Sequence, residues 1–296
     1  MISQKHLSAW ALACRPKTLA ASVAPIILGS GLAYHDGYFQ AIILCCALLC
    51  ALLLQVAVNL ANDLFDAEAG VDTNQRVGPI RATQSGLISP VHMRRALILV
   101  STLAFIFGLI LVLNSHWVLM LFGIAALVAV FAYSGGPYPL ASHGLGEVTV
   151  LVFFGWLAVG GSYFLFTETI NMSVFGYGTV AGLFNAAIML VNNIRDIPTD
   201  RAANKNTLAV KLGDVRARQL YRLLLILGLM LHLVVSFGLG LYSILSIIAI
   251  VPLMRSLLIQ INIRQAEALN IQLAKTAQLV ALYCISFSAV LVFMSY

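Results

Sequence analysis

Charge is what this sequence is short of. Asp, Glu, Lys and Arg make up 9% of its 296 residues, where soluble globular domains carry about 25%. Hydrophobic residues make up 61%. That excess is too large to hide inside one soluble core and points to a polytopic membrane protein. Basic residues in such a chain report orientation in a bilayer, so the net charge of +6 does not imply a nucleic-acid partner. Cysteine is scarce too. Cys14, Cys45, Cys46, Cys50 and Cys284 lie in or beside apolar stretches without metal-site spacing, as small packing residues do. The first residues lack a short apolar core followed by a small-residue cleavage site, so no removable signal peptide is expected. Alternating ten-residue segments are absent as well, which excludes a transmembrane β-barrel.

What is there is a series of continuous apolar runs. Nine are long enough to cross a bilayer, at roughly residues 18–35, 41–62, 96–113, 116–133, 148–166, 173–194, 220–238, 241–259 and 277–295. The expected fold is all-α, a nine-transmembrane-helix bundle forming one domain over residues 1–296. Numbering the connections gives a second pattern. All 17 Lys and Arg fall on the side of the N-terminus and of the connections after spans 2, 4, 6 and 8. The opposite connections, "HDGYFQ", "NSH", "TETINM" and "GLG", hold none. The positive-inside rule makes the basic side cytoplasmic and places the C-terminus outside. Three polar connections, at about 63–95, 134–147 and 195–218, then lie on the cytoplasmic side.

Acidic residues number only 11, yet Asp63, Asp66, Glu68 and Asp72 follow directly on span 2. Asn59 and Asp63, and Asn62 and Asp66, are four apart, so each pair shares a helix face. Span 6 ends the same way: Asn192, Asp196 and Asp200 are spaced by four, with Pro198 expected to bend or end the helix. Carboxylates crowded at this spacing repel one another unless a cation lies between them. A hard divalent ion such as Mg²⁺ takes oxygen ligands and is commonly shared with substrate phosphates. Basic residues follow each cluster: Arg76 and Arg81 after the first, Arg201, Lys205 and Lys211 after the second. Carboxylate-held metal beside Arg and Lys is what a diphosphate needs. The alternative for either cluster alone is a polar helix end capping into water.

These stretches resemble a known family. "NLANDLFDAEAGVDT" (59–73) and "NNIRDIPTDRAANKNTLAVKLG" (192–213), with "RPKTLAASVAP" (15–25), are similar to the UbiA-type intramembrane prenyltransferases. "RVGPIRATQSGLIS" (76–89) and "AYSGGPYPLASHGLGEVTVLVFFGW" (132–156) bring the chain closest to the 1,4-dihydroxy-2-naphthoate polyprenyltransferase branch of menaquinone biosynthesis. The likeness covers nearly the whole chain and fades after about residue 220. The broader family often has a third Asp where this chain has Gly70, leaving Glu68 or Asp72 to complete the first cluster. The resemblance implies a polyprenyl diphosphate donor, an aromatic acceptor, Mg²⁺ and a lipid bilayer, in a cytoplasmic (inner) membrane. It implies metal held by Asp63, Asp66, Asp196 and Asp200 with Asn62 and Asn192, and diphosphate clamped by Arg76, Arg81, Arg201 and Lys205. Asp66, Asp196, Tyr133 and Lys205 are the expected catalytic set. Arg15, Lys17, Glu147 and His143 are candidates for the acceptor, against simpler readings as topology charges, a span start and a structural histidine. His92 is weighed with His143 for proton transfer. Two other functions stay in view: 4-hydroxybenzoate polyprenyl transfer and, from a different class, secondary transport.

Overall fold

The computed structural model describes residues 4–70 and 78–295, without the side chains of residues 4–7, Lys17 and Ser243. Among the described residues the chain is all-α, with no strand. The elements are α1 (Gln4–Cys14), α2 (Pro16–His35), α3 (Ala41–Glu68), α4 (Pro90–Leu113) and α5 (Val118–Ala132). A 3₁₀ turn (Leu140–His143) leads to α6 (Gly146–Val150), which runs through a π-helical stretch (Leu151–Gly160) into α7 (Gly161–Thr167). Then come α8 (Met172–Ala202), α9 (Leu208–Leu212), α10 (Asp214–Val235), α11 (Leu241–Ile248), α12 (Val251–Gln260) and α13 (Ala268–Met294).

Seven of these helical stretches are long and apolar enough to cross a bilayer. The other two expected spans are shorter. The fourth, α5, has 15 residues and covers about 22 Å. The eighth is split at Ala249–Ile250 into α11 and α12, because Pro252 in the first turn of α12 lacks the N–H that would continue α11 and its ring crowds the carbonyl four residues back. Pro198 does the opposite of what its chemistry suggests: α8 passes through it to Ala202, so Asn192, Asp196 and Asp200 stay on one helical face. Caps fix the other ends. Ser89 accepts from the His92 N–H ahead of Pro90, and Asn171 accepts from the Val174 N–H at 2.9 Å.

The bundle has two main apolar cores. Leu28, Val180, Phe184, Leu225, Tyr283 and Phe287 belong to one, built by α2, α8, α10 and α13. Leu60, Leu64, Met93 and Leu97 belong to the other, built by α1, α3 and α4. The fifth span crosses α8 at glycine: Gly155 faces Gly178 and Gly182 so closely that a Cβ on it would lie 2.5 Å from the Gly178 carbonyl oxygen. Between the two cores the bundle is hollow.

Candidate active site

The hollow is a cavity of about 420 Å³ lined by α2, α3, α4, α5, the α6–α7 span and α8. One end is polar. The C-terminal turns of α3 bring Asn62 and Asp66 to it, and those of α8 bring Asn192, Asn193, Asp196 and Asp200. Arg15, Arg81, Tyr133, Ser134 and Lys205 complete this end. From there the cavity continues past Cys50, Phe105, Gly108, Leu119, Phe122 and Phe153, which are apolar. One continuous space thus has a polar end and an apolar end.

The two acidic clusters, about 130 residues apart in sequence, meet here. Asp66 accepts from Arg81 in a salt bridge buried on both sides, and Lys205, from beyond α8, lies 3.7 Å from its other oxygen. Ser134 Oγ donates to the side-chain Oδ1 of Asn62, tying the loop after α5 to α3. Arg15 reaches the cavity because the chain turns through a left-handed residue there (φ 50°) and restarts at Pro16. Three acids (Asp66, Asp196, Asp200) and three bases (Arg15, Arg81, Lys205) face the cavity. The wall alone is therefore close to neutral, and a diphosphate entering it needs additional cations.

The structure brings only some of the sequence-predicted residues to the cavity. Asp63 does not line the cavity: its two carboxylate oxygens accept from the backbone N–H groups of Ala82 and Thr83 at 2.9 and 2.8 Å. Each oxygen takes one N–H of the loop that carries Arg81, so Asp63 clamps that loop. Arg201 is exposed and is not among the residues lining the cavity. His143 also lies off it, stacked on Tyr138 at 3.5 Å with its Nδ1 at 2.8 Å from the Pro139 carbonyl. His92 sits exposed at the start of α4, against Ser89. Glu68 pairs with Arg94 on the exposed surface and is not among the residues lining the cavity. Glu147 is buried behind the cavity wall, where Oε1 accepts from Asn193 at 2.8 Å. Arg76 and Asp72 lie outside the described residues, as does the Lys17 side chain.

Other residues escaped the sequence reading. Arg195 is buried and forms a forked ion pair with Asp196. Its signal was its place between Asn192 and Asp196, which the topology argument had absorbed as an orientation charge. Asn59, read from the sequence only as sharing a helix face with Asp63, donates to the Cys14 carbonyl at 2.8 Å and to Thr18 Oγ1 at 3.0 Å. It fastens α3 to the turn that presents Arg15.

Among the described residues no three His, Cys, Asp or Glu side chains converge to form a metal cage. The donor set is nonetheless one of hard oxygens: three carboxylates and the amides of Asn62, Asn192 and Asn193 around the polar end of one cavity. That fits a Mg²⁺ ion bound through one or two carboxylates and completed by substrate phosphates and water.

Comparison with known proteins agrees with this geometry. The chain is 41% identical over 223 residues to the 1,4-dihydroxy-2-naphthoate octaprenyltransferase of Escherichia coli, covering 73% of this chain and 72% of that protein. It is 37% identical over 218 residues to the enzyme of the same name in Mycobacterium tuberculosis, covering 73% and 74%. In fold it is similar to a UbiA homologue from Archaeoglobus fulgidus solved with GPP and Mg²⁺, with TM-score 0.74 at 16% identity over 96% of this chain and 99% of that one. Membership of a prenyltransferase family sets the transporter reading aside. The model of the UbiA prenyltransferase family matches residues 22–293, and the chain belongs to that family.

Proposed function

We propose that this protein transfers a polyprenyl group from polyprenyl diphosphate to 1,4-dihydroxy-2-naphthoate, releasing diphosphate and CO₂ and giving a demethylmenaquinone. The observation that carries the proposal is the two-ended cavity, in which acids from α3 and α8 meet bases from the neighbouring connections at one end of an apolar gallery. The choice of acceptor follows the names of the relatives. The distribution of Lys and Arg supports a cytoplasmic mouth, in a cytoplasmic (inner) membrane with the N-terminus cytoplasmic and the C-terminus outside.

In this reaction the allylic C–O bond breaks and the diphosphate leaves with the electron pair. The ring carbon bearing the carboxylate forms the new C–C bond, and its C–COO⁻ pair returns to the ring as CO₂ departs. Bound Mg²⁺, held by Asp66, Asp196 and Asp200 with Asn62 and Asn192, would supply Lewis-acid neutralisation of the leaving group. The chain's own groups do the rest. Arg81 and Lys205 already point at the polar end and exchange Asp66 for diphosphate oxygens. The apolar gallery takes the prenyl tail and keeps water from the allylic cation. Tyr133 sits where the polar and apolar parts of the wall meet, placed to steady that cation through its ring. Arg15, on the same wall, is placed to meet the acceptor carboxylate.

The test is an acceptor comparison with purified protein in detergent, supplied with Mg²⁺, a long-chain prenyl diphosphate and either 1,4-dihydroxy-2-naphthoate or 4-hydroxybenzoate. Prenylated naphthol with stoichiometric CO₂ is expected. Product only from 4-hydroxybenzoate would keep the reaction and overturn the acceptor. No product from either, in folded protein, would overturn the proposal.

A further inference from the structure

Each acidic cluster has one buried arginine, but the two arginines are placed differently. Arg81 lines the cavity; Arg195 does not, although Asp196 and Asn192 beside it do. Arg195 stands behind the wall, 4% exposed, and its guanidinium is used from several sides. Nε donates to Asp196 Oδ1 at 2.7 Å and Nη2 to Asp196 Oδ2 at 2.6 Å. Nη2 also donates to Asn192 Oδ1 at 2.9 Å, and Nη1 to Asn270 Oδ1 at 2.8 Å. Adjacent residues on a helix point in different directions and do not normally pair. Here Arg195 folds along α8 to grip its own neighbour, and the anchor that holds it there is on α13. One turn further along α13, Leu273 lines the cavity itself.

We infer that Arg195 is a positioning residue. It fixes the Asp196 carboxylate and the Asn192 amide in the orientation that receives a divalent cation and diphosphate, and Asn270 transmits the position of α13 to that site. The inference rests on the reading of the cavity as a cation–diphosphate site and adds to it a residue that touches neither. Three features carry it. The fork is bidentate, so it sets the plane of the carboxylate as well as neutralising it. The same guanidinium spans two cavity-lining residues one turn apart, so Asp196 and Asn192 are oriented together. The anchor lies on a different helix, so the pair cannot rotate freely with α8. Groups that orient metal ligands from behind are worth about 10–100-fold in affinity or activity.

The chemistry separates orientation from charge. Arg195→Lys keeps a cation behind Asp196 but lacks the planar fork. Asn270→Ala keeps Arg195 and removes its anchor. The readouts are the melting temperature in detergent, the binding of Mg²⁺ with a non-reactive prenyl thiodiphosphate by calorimetry, and the Mg²⁺ dependence of turnover. For Arg195→Lys we expect binding of the Mg²⁺–analogue pair to weaken about 10–100-fold and the Mg²⁺ concentration at half-maximal rate to rise. KM for the aromatic acceptor should stay near its original value. Asn270→Ala should move the same quantities in the same direction by less. A purely structural role would lower the melting temperature of both variants with unchanged Mg²⁺ dependence and analogue binding, and that result would overturn the inference. If the unaltered protein itself bound no Mg²⁺–analogue pair, the reading of the cavity would fail, and the inference with it.

Discussion

At the scale of single residues, the same residue type divides into two jobs that spacing cannot distinguish. Asp63 and Asp66 are three apart at the end of one helix, yet Asp66 faces the cavity while Asp63 receives two backbone N–H groups of the loop behind it. The sequence shows that both carboxylates exist. It does not show which one the loop will occupy, because that loop closes 19 residues away from Asp63. Asp63 should therefore act through Arg81. We expect Asp63→Ala to raise KM for the prenyl diphosphate about tenfold, equivalent to ~1.4 kcal/mol, with the Mg²⁺ dependence of turnover unchanged. The double variant with Arg81→Ala should be no worse than Arg81→Ala alone, since coupled residues are non-additive. A shift in the Mg²⁺ requirement of Asp63→Ala would instead return Asp63 to the ligand set. Asp66→Asn, which keeps the side-chain shape, should cost about 10²-fold or more in turnover. It is a better probe than Asp66→Ala, which would also bury the Arg81 charge without its partner.

At the scale of helices, the apolar runs gave away where most spans lie, and the ends were harder. A run that is apolar all round carries no phase, so nothing in residues 148–166 marks the π-helical stretch at Leu151–Gly160. The same silence hides the split between α11 and α12, for which Pro252 was the only local sign. The extension of α8 through Pro198 was decided by packing, since Ile194 and Ile197 are buried in the larger core. The crossing of the π-helical stretch over α8 is the most sensitive contact between elements. A Cβ on Gly155 would meet the Gly178 carbonyl oxygen at 2.5 Å and Gly182 Cα at 2.8 Å, and backbone cannot swing aside as a side chain can. Gly155→Ala should destabilise the protein by about 1–3 kcal/mol, as overpacking does. It should also reduce turnover, because Phe153 and Phe154 on the same stretch line the cavity. Gly160→Ala, where a Cβ would meet only the end of the Ile170 side chain at 3.9 Å and which is not part of the cavity wall, is the control and should change neither. Equal melting temperatures for the two variants would show that the crossing tolerates a shift.

At the scale of the whole molecule, the two acidic clusters were legible as a repeated motif, but their meeting across one cavity is a property of the bundle. So is the way each carboxylate is provided for. Carboxylates crowded at this spacing repel one another, which in the sequence points to a cation between them. In the folded chain Asp66 is held by Arg81 and Lys205 and Asp196 by Arg195, so the fold already offsets much of that repulsion without a metal. On the proposed function, metal would serve the substrate and not folding. This gives opposite expectations for two measurements on the same sample. EDTA should abolish turnover yet leave the melting temperature within about 2 °C, less than a 1 kcal/mol change produces in a chain of moderate size. Mg²⁺ alone should raise the melting temperature little, whereas Mg²⁺ with inorganic pyrophosphate should raise it in a concentration-dependent way, as a ligand that binds only the folded state does. A fall of ten degrees or so on chelation would mean that metal is part of the resting fold and that the arginine and lysine partners do not suffice. If pyrophosphate with Mg²⁺ gave no shift beyond Mg²⁺ alone, the balanced charge of the cavity mouth would not be a diphosphate site, because a wall of three acids and three bases gains its selectivity for that anion only when the cation arrives with it.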